Sequence, residues 1–302
     1  MRSGWSERRL LMLRALGTAL ALGLLVILFR EEGWGEVTAL LRRISAGELL
    51  LAVVLLLISR LCVIARWHVL LRSAGTPIPF ARTASLTFTG LFASNFLPTT
   101  IGGDVVRLTG AIRMGLDRAV CLASLVADRL VGMIGMLFAV PFGLVPLLAS
   151  PGGLQAATVA GFARKLRDLS ADALQALSIW ARKPQALLIS FLCTFAHMAA
   201  VFAAVSVLIT GLHARVPYFL LAGIWSLAYF VTLIPISING YGVQELSASF
   251  LLARVGGLGT AESLSVAILA RALFIFASLP GALFLPTIME AVAETRKSDT
   301  GQ

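Results

Sequence analysis

Long apolar runs separated by short polar blocks set the pattern of this chain. The runs cover about Leu16 to Phe29, Leu49 to Ala65, Ala84 to Leu97, Ala119 to Val140, Leu187 to Ile209, Val216 to Leu233 and Ser263 to Ile288. Several approach the roughly 20 residues that a helix needs to cross a bilayer. The pattern predicts an all-α integral membrane protein, a polytopic helix bundle that forms a single membrane domain over residues 1–302.

Two of the interruptions are unusual. In "NFLPTTIGGDVVR", Pro98 removes a backbone donor and disfavours helix at Leu97, while Gly102 and Gly103 permit a turn. Arg72 and Arg82 precede this break, and Arg107, Arg113 and Arg118 follow it. Basic residues on both flanks suit a segment that enters the membrane and returns to the same side. Backbone freed at membrane depth must be shielded by protein or line a wet cavity. Asn95 to Arg107 is therefore expected at the tip of a re-entrant loop beside a polar cavity.

The stretch "IPISINGYGVQE" breaks a later run in the same way. Counted from Pro98 and from Pro235, Gly102 matches Asn239, Gly103 matches Gly240, and Arg107 matches Gln244. With the first loop entering from the cytoplasm and the second from outside, the two breaks make the pattern of an inverted-repeat transporter, whose substrate sits near the midplane. The competing reading is a pair of unrelated surface loops.

Basic residues also set the expected topology. Arg2, Arg8, Arg9 and Arg14 put residues 1–14 in the cytoplasm, and no small-residue cleavage site follows the first run, so that helix is expected to stay uncleaved. Residues 30–48 are expected to lie at the interface. The second span is expected to end at Arg66, Trp67 and His68, a basic-aromatic boundary where Trp anchors at headgroup level. Pro141, Pro146 and Pro151 make the stretch to Phe162 a poor span; residues 164–183 read as a cytoplasmic amphipathic helix. Pro280 is a candidate kink in the last span, and Arg296 and Lys297 keep the tail, residues 291–302, inside. The expected location is a multi-pass protein of the cytoplasmic (inner) membrane with both termini cytoplasmic.

Charges in or beside apolar runs are the candidate chemistry: Asp104, Arg107, Asp128, Arg129, Glu245 and Arg271. A charge at the bilayer centre costs roughly 2.5–3.5 kcal/mol on insertion scales, so such residues face the bundle interior and take partners. Asp104 and Arg107 share a helical face; Asp128 and Arg129 point about 100° apart and must pair elsewhere. A guanidinium fork, with the N–H groups of a glycine turn and a helix N-terminus, suits an anionic headgroup. The candidate binding set is Asn95, Pro98, Gly102, Gly103, Asp104, Arg107, Asn239, Gly240, Tyr241, Gln244 and Glu245, with Asp128, Arg129 and Arg271 as an intramembrane charge network. The bland alternative is a set of salt bridges that fasten helices. Glu245 reads equally as a gate, a proton carrier or a clasp on Arg271. His197 reads as a hydrogen-bonded packing residue, His68 as interfacial, and Trp225, Tyr229 and Phe230 as packing.

Composition sharpens the class. Of 302 residues, 58% are hydrophobic and 13% charged, against roughly 25% charged in soluble domains. The net charge of +10 sits in short blocks between apolar runs, which fits orientation signals and anionic lipid, not nucleic acid. Cys62, Cys121 and Cys193 stand singly in apolar segments; no metal or cofactor is expected.

"LPTTIGGDVVR", "ADRLVG" and "IPISINGYGVQE" together resemble the flippase-like membrane domain of lysylphosphatidylglycerol synthases, over nearly the whole chain. Pro98, Gly102, Gly103, Asp104 and Arg107 match the first motif, and Glu245 matches an acidic position after the second break. Asp128 stands where the family more often has glutamate, and Asn239 and Tyr241 replace a glycine-rich turn. No aminoacyl-transfer domain follows Gln302, so lysyl transfer is not implied. The resemblance implies a flippase or transporter that moves an anionic, polyprenyl-linked or hopanoid-type lipid across the cytoplasmic membrane. The expected partners are a membrane phospholipid or isoprenoid lipid and, in an accessory-subunit alternative, a glycosyltransferase or lipid-synthesis enzyme. An intramembrane lipid phosphatase is a further alternative, although no Ser–Arg–Ser loop, HExxH, DxD or CxxC is present; the expectation is no enzyme.

Overall fold

The computed structural model describes residues 42–97, 101–150, 183–234 and 237–284, with residues 19, 23, 26, 39, 40 and 180. The expectations for residues 1–14, most of the first span, most of residues 164–183 and residues 291–302 lie outside the described residues, as do Pro98 and Pro235. Among the described residues the structure is wholly α-helical apart from two short 3-10 segments. The helices are α1 (Ala46–Ser73), α2 (Phe80–Ser94), α3 (Gly102–Arg113), α4 (Arg118–Ala149), α5 (Pro184–Gly211), α6 (Tyr218–Thr232), α7 (Val243–Arg254) and α8 (Thr260–Phe276).

Helices α1, α4 and α5, and α8 extended through Phe284, are long and apolar enough to cross a membrane. Their outward faces carry Leu50, Val54, Leu61, Phe138, Val145, Leu188 and Leu192, all exposed. Arginine and aspartate lie inside instead, the reverse of a water-soluble bundle.

Helix α1 begins where Ser45 and Glu48 close a capping box, the Glu48 amide donating to Ser45 Oγ at 3.2 Å and the Ser45 amide to Glu48 Oε2 at 2.8 Å. It runs on to Ser73, past the expected end at Ala65. Trp67 has no solvent exposure and Arg66 is buried, so neither marks a headgroup boundary. His68 shares a hydrogen bond with Thr83 of α2 and meets the Phe80 ring edge-on. Protein, not the interface, supplies the polar partners of this segment.

Helix α4 corrects a second expectation. It is continuous for 32 residues through Pro141 and Pro146. Each proline removes one helical hydrogen bond without ending the helix, as is tolerated in membrane helices packed against neighbours. Near Pro141, Gly143 packs backbone to backbone against Gly223 of α6; a Cβ on Gly143 would lie 2.5 Å from the Gly223 carbonyl carbon. The expected irregularity at Pro280 is found: α8 ends at Phe276, and Leu279–Phe284 is a 3-10 segment.

Helices α1 and α5 pack along one another and run antiparallel. Ser73 near the end of α1 meets Lys183 before α5, Arg66 meets Thr194, and Ser59 meets His197. The His197 Nδ1–Ser59 Oγ separation of 2.7 Å makes this a hydrogen-bonded packing histidine, as expected. Helix lengths recur along the chain. Both α1 and α5 have 28 residues, α2 and α6 have 15, and α3 and α7 have 12. At 1.5 Å per residue the two shorter kinds span about 22 and 18 Å, short of a hydrocarbon core of about 30 Å. The main apolar core joins α1, α4, α5, α6, α7 and α8 and takes in Trp225 and Phe230, with Tyr229 packed against it. The three cysteines are free thiols.

Candidate functional site

Asp128 is the centre of a buried charge network. Its Oδ1 accepts from Arg66 Nε at 2.6 Å and its Oδ2 from Arg107 Nη1 at 3.2 Å. Arg107 Nη1 also donates to Asp104 Oδ1 at 3.1 Å, and Asp104 Oδ2 accepts from Arg129 Nε at 2.5 Å. Positive and negative groups therefore alternate along Arg66–Asp128–Arg107–Asp104–Arg129, drawing α1, α3 and α4 together. Arg66 Nη1 reaches a fourth helix by donating to Thr194 Oγ1 at 3.1 Å. Desolvating an ion costs several kcal/mol even after relaxation, and this alternation is what offsets it.

Local sequence explains how each group is held. Arg107 lies over the Trp67 ring at 4.1 Å, and Trp67 Nε1 donates to Ser124 Oγ at 3.1 Å. The Arg107 stem fits because residue 90 is glycine: a Cβ there would lie 2.7 Å from Arg107 Cγ. Gly102 and Gly103 do not form the expected turn. They are the first two residues of α3 and have no left-handed backbone. Their missing side chains matter for packing instead. A Cβ on Gly102 would lie 2.5 Å from Leu97 Cβ, and one on Gly103 would strike the Gly90 carbonyl oxygen of α2.

The second break is built differently. Asn239 (φ 49°), Gly240 (φ 72°) and Gly242 (φ 77°) are left-handed, and Gly242 directly precedes α7. Alanine in this region costs about 1–2 kcal/mol, so Gly242→Ala is expected to lose about that much stability in thermal unfolding, while Asn239→Gly is tolerated. A Gly242→Ala protein as stable as its parent would contradict this backbone path.

Glu245 Oε1 pairs with Arg271 Nε, which is the clasp among its three readings. Arg271 lies over the Tyr241 ring at 5.0 Å, and its Nη2 reaches the Gly240 carbonyl at 3.4 Å. The Tyr241 hydroxyl donates to the Asn95 carbonyl at 3.1 Å, and Asn95 Nδ2 donates to Ser278 Oγ at 2.9 Å. Residues flanking the two breaks thus touch directly. Gln244 is half-buried on α7.

Counting from the helix starts gives a second alignment beside the one counted from the prolines. Asp104 and Glu245 are each the third residue of their helix, and Arg129 and Arg271 are each the twelfth of theirs. The two ion pairs therefore occupy matching positions. By this count Arg107 falls level with Ala248, because the left-handed residues of the second break delay the start of α7.

Sequence reasoning missed Arg66, Trp67 and Arg60. Arg60 lies over the Phe274 ring at 5.3 Å, with its Nε buried. The signal was present, since Arg60 is a charge inside an expected span. Among the described residues, no group of three or more His, Cys, Asp or Glu could hold a metal ion.

Outward apolar faces around a guanidinium–carboxylate interior define a multi-pass helical membrane protein with a charged core. The chain belongs to the family described as the lysylphosphatidylglycerol synthase TM region, whose model matches residues 14–163 and 153–281. No curated protein matches the chain.

Proposed function

We propose that this protein moves an anionic, polyprenyl-linked or hopanoid-type lipid across the cytoplasmic membrane, holding the headgroup at Arg107. The observation that carries the reading is the state of that guanidinium. Arg107 is 6% exposed, yet its Nε and Nη2 have no hydrogen-bond partner among the described residues. An arginine needed only to fasten helices would have its donors satisfied; free, buried donors suit a headgroup oxygen. Membership of a family named for a lipid synthase's membrane region supports a lipid as cargo.

In this reading the α2–α3 and α6–α7 hairpins are re-entrant, and the chain is an inverted repeat of α1–α4 and α5–α8. The short arms, the matched lengths of the first three helix pairs and the antiparallel α1 and α5 support it. The matching pairs Asp104–Arg129 and Glu245–Arg271 then act as latches on opposite sides of the headgroup site. The protein carries lipid and catalyses no covalent step.

The test is lipid movement in reconstituted vesicles. Arg107→Ala is expected to abolish movement of a labelled anionic lipid, and Arg107→Lys to retain part of it. Movement at the wild-type rate by well-folded Arg107→Ala protein would defeat the assignment.

A further inference from the structure

Asp104, Asp128 and Glu245 each hold an arginine inside the bundle, but not in the same way. Asp128 gives one oxygen to Arg66 and the other to Arg107. Asp104 gives one to Arg107 and the other to Arg129. Glu245 pairs through Oε1 with Arg271, while its Oε2 is buried and accepts no hydrogen bond from the described residues.

This difference sets the cost of neutralising each group. A proton on Asp128 or Asp104 would take a counter-charge from two guanidiniums at once. A proton on Glu245 Oε2 displaces no donor among the described residues and releases one guanidinium. Breaking a buried ion pair is costly because it leaves a charge uncompensated. Arg271 has other support. It lies over the Tyr241 ring, its Nη2 reaches the Gly240 carbonyl, and its side chain is 17% exposed, against 9% for Arg66 and 8% for Arg107.

The surroundings leave Glu245 without a rival carboxylate among the described residues. Helix α7 packs against α6 and α8. From α8 the facing charge is Arg271; Glu262 lies in the first turn of that helix, where it accepts from the Gly259 amide. From α6 the titratable group near the second break is Tyr229, whose electrostatic partners are Arg129, Arg66, Asp104 and Asp128 of the first half. Tyr241, in the break itself, faces Arg271. On α7 the other charge is Arg254, in its last turn.

We propose that Glu245 is a proton site, and that a proton bound at Oε2 opens the Glu245–Arg271 latch to an anionic headgroup. The proton comes from water on one side of the membrane and forms an O–H bond with Oε2. The carboxylate charge is cancelled, and Arg271 turns its donors to the headgroup. A carboxylate deprived of its counter-charge in a buried site neutralises rather than stay charged, so headgroup and proton support one another's binding. When the headgroup leaves, Arg271 recovers Glu245 and the proton returns to water. The first-half latch stays shut to protons, because Asp104 holds two arginines. This rests on the lipid-carrier reading and gives it an energy source: one proton accompanies each singly charged headgroup.

The experiment uses the full chain in phosphatidylcholine vesicles with labelled phosphatidylglycerol, a diester whose charge is the same at pH 7.5 and pH 5. The protonated fraction of a carboxyl falls about ten-fold per pH unit above its pKa, so label movement by the wild type is expected to be at least about ten-fold faster at pH 5. Glu245→Asp, which keeps a carboxyl, should retain the rise. Glu245→Gln, which cannot titrate, should bring the ratio of the two rates to about one. Equal, measurable rates for the wild type at both pH values, or an undiminished rise in well-folded Glu245→Gln protein, would overturn the proton site. Infrared difference spectra of the wild type between the two pH values need neither a variant nor lipid movement. With isotope-labelled glutamate, a buried glutamic acid band should appear at pH 5, and its absence would overturn the proposal even if neither variant folds. That band in a protein that moves no lipid would uphold the proton site and defeat the carrier reading alone.

Discussion

Asp128→Ala is expected to be the most damaging single substitution in the described structure, costing about 3–5 kcal/mol, the usual loss when one partner of a buried ion pair is removed. Asp128 accepts from both Arg66 and Arg107 and is 3% exposed. Without it, among the described residues, Arg66 keeps the Thr194 hydroxyl as a hydrogen-bond partner, and Arg107 keeps Asp104 and the Trp67 ring. Two buried guanidiniums are then left with one carboxylate fewer. The measurement is resistance to unfolding of the purified protein in mild detergent. The double variant Arg66→Met, Asp128→Leu removes charge and counter-charge together and should recover most of the loss, because apolar replacement of a buried pair is often neutral. Unchanged stability in Asp128→Ala would mean that the carboxylate is hydrated and that the network is not what joins α1 to α4.

Gly223→Ala should come next. Helices α4 and α6 approach so closely at Gly143 and Gly223 that a Cβ on Gly223 would overlap the Gly143 backbone nitrogen. A backbone atom cannot swing aside as a side-chain tip does, so the helices must separate along their contact. Overpacking of this kind costs about 1–3 kcal/mol and occasionally more. Gly47→Ala is the matched control, since its Cβ would meet nothing nearer than Ser45 Oγ at 3.9 Å. That change lies in the first turn of α1 and should be neutral or stabilising by up to about 1 kcal/mol. Equal behaviour of the two alanine variants would refute the close crossing.

The two breaks show what residue type alone does not reveal. Glycine after a proline reads as a turn, and in the second break the left-handed Gly240 bears this out. In the first break Gly102 and Gly103 are helical, and their value is the bare backbone they offer to α2 and to Leu97. Left-handed freedom and close approach demand the same residue, so only the packed structure separates them.

By itself the sequence determined the helical membrane class, the two glycine-bearing breaks, and that Asp104, Arg107, Asp128 and Glu245 must turn inward, because hydropathy and helix-breaking act within a few residues. The capping box of Ser45 and Glu48, which marks the true start of α1, went unread in the hydropathy pattern. Tertiary structure alone decided who pairs with whom. Arg66 lies 62 positions from Asp128, and a span read by hydropathy stops at Arg66 because a charge there looks solvent-facing. Which arginines keep free donors depends on distances between helices far apart in the chain, and that is set only when the bundle packs.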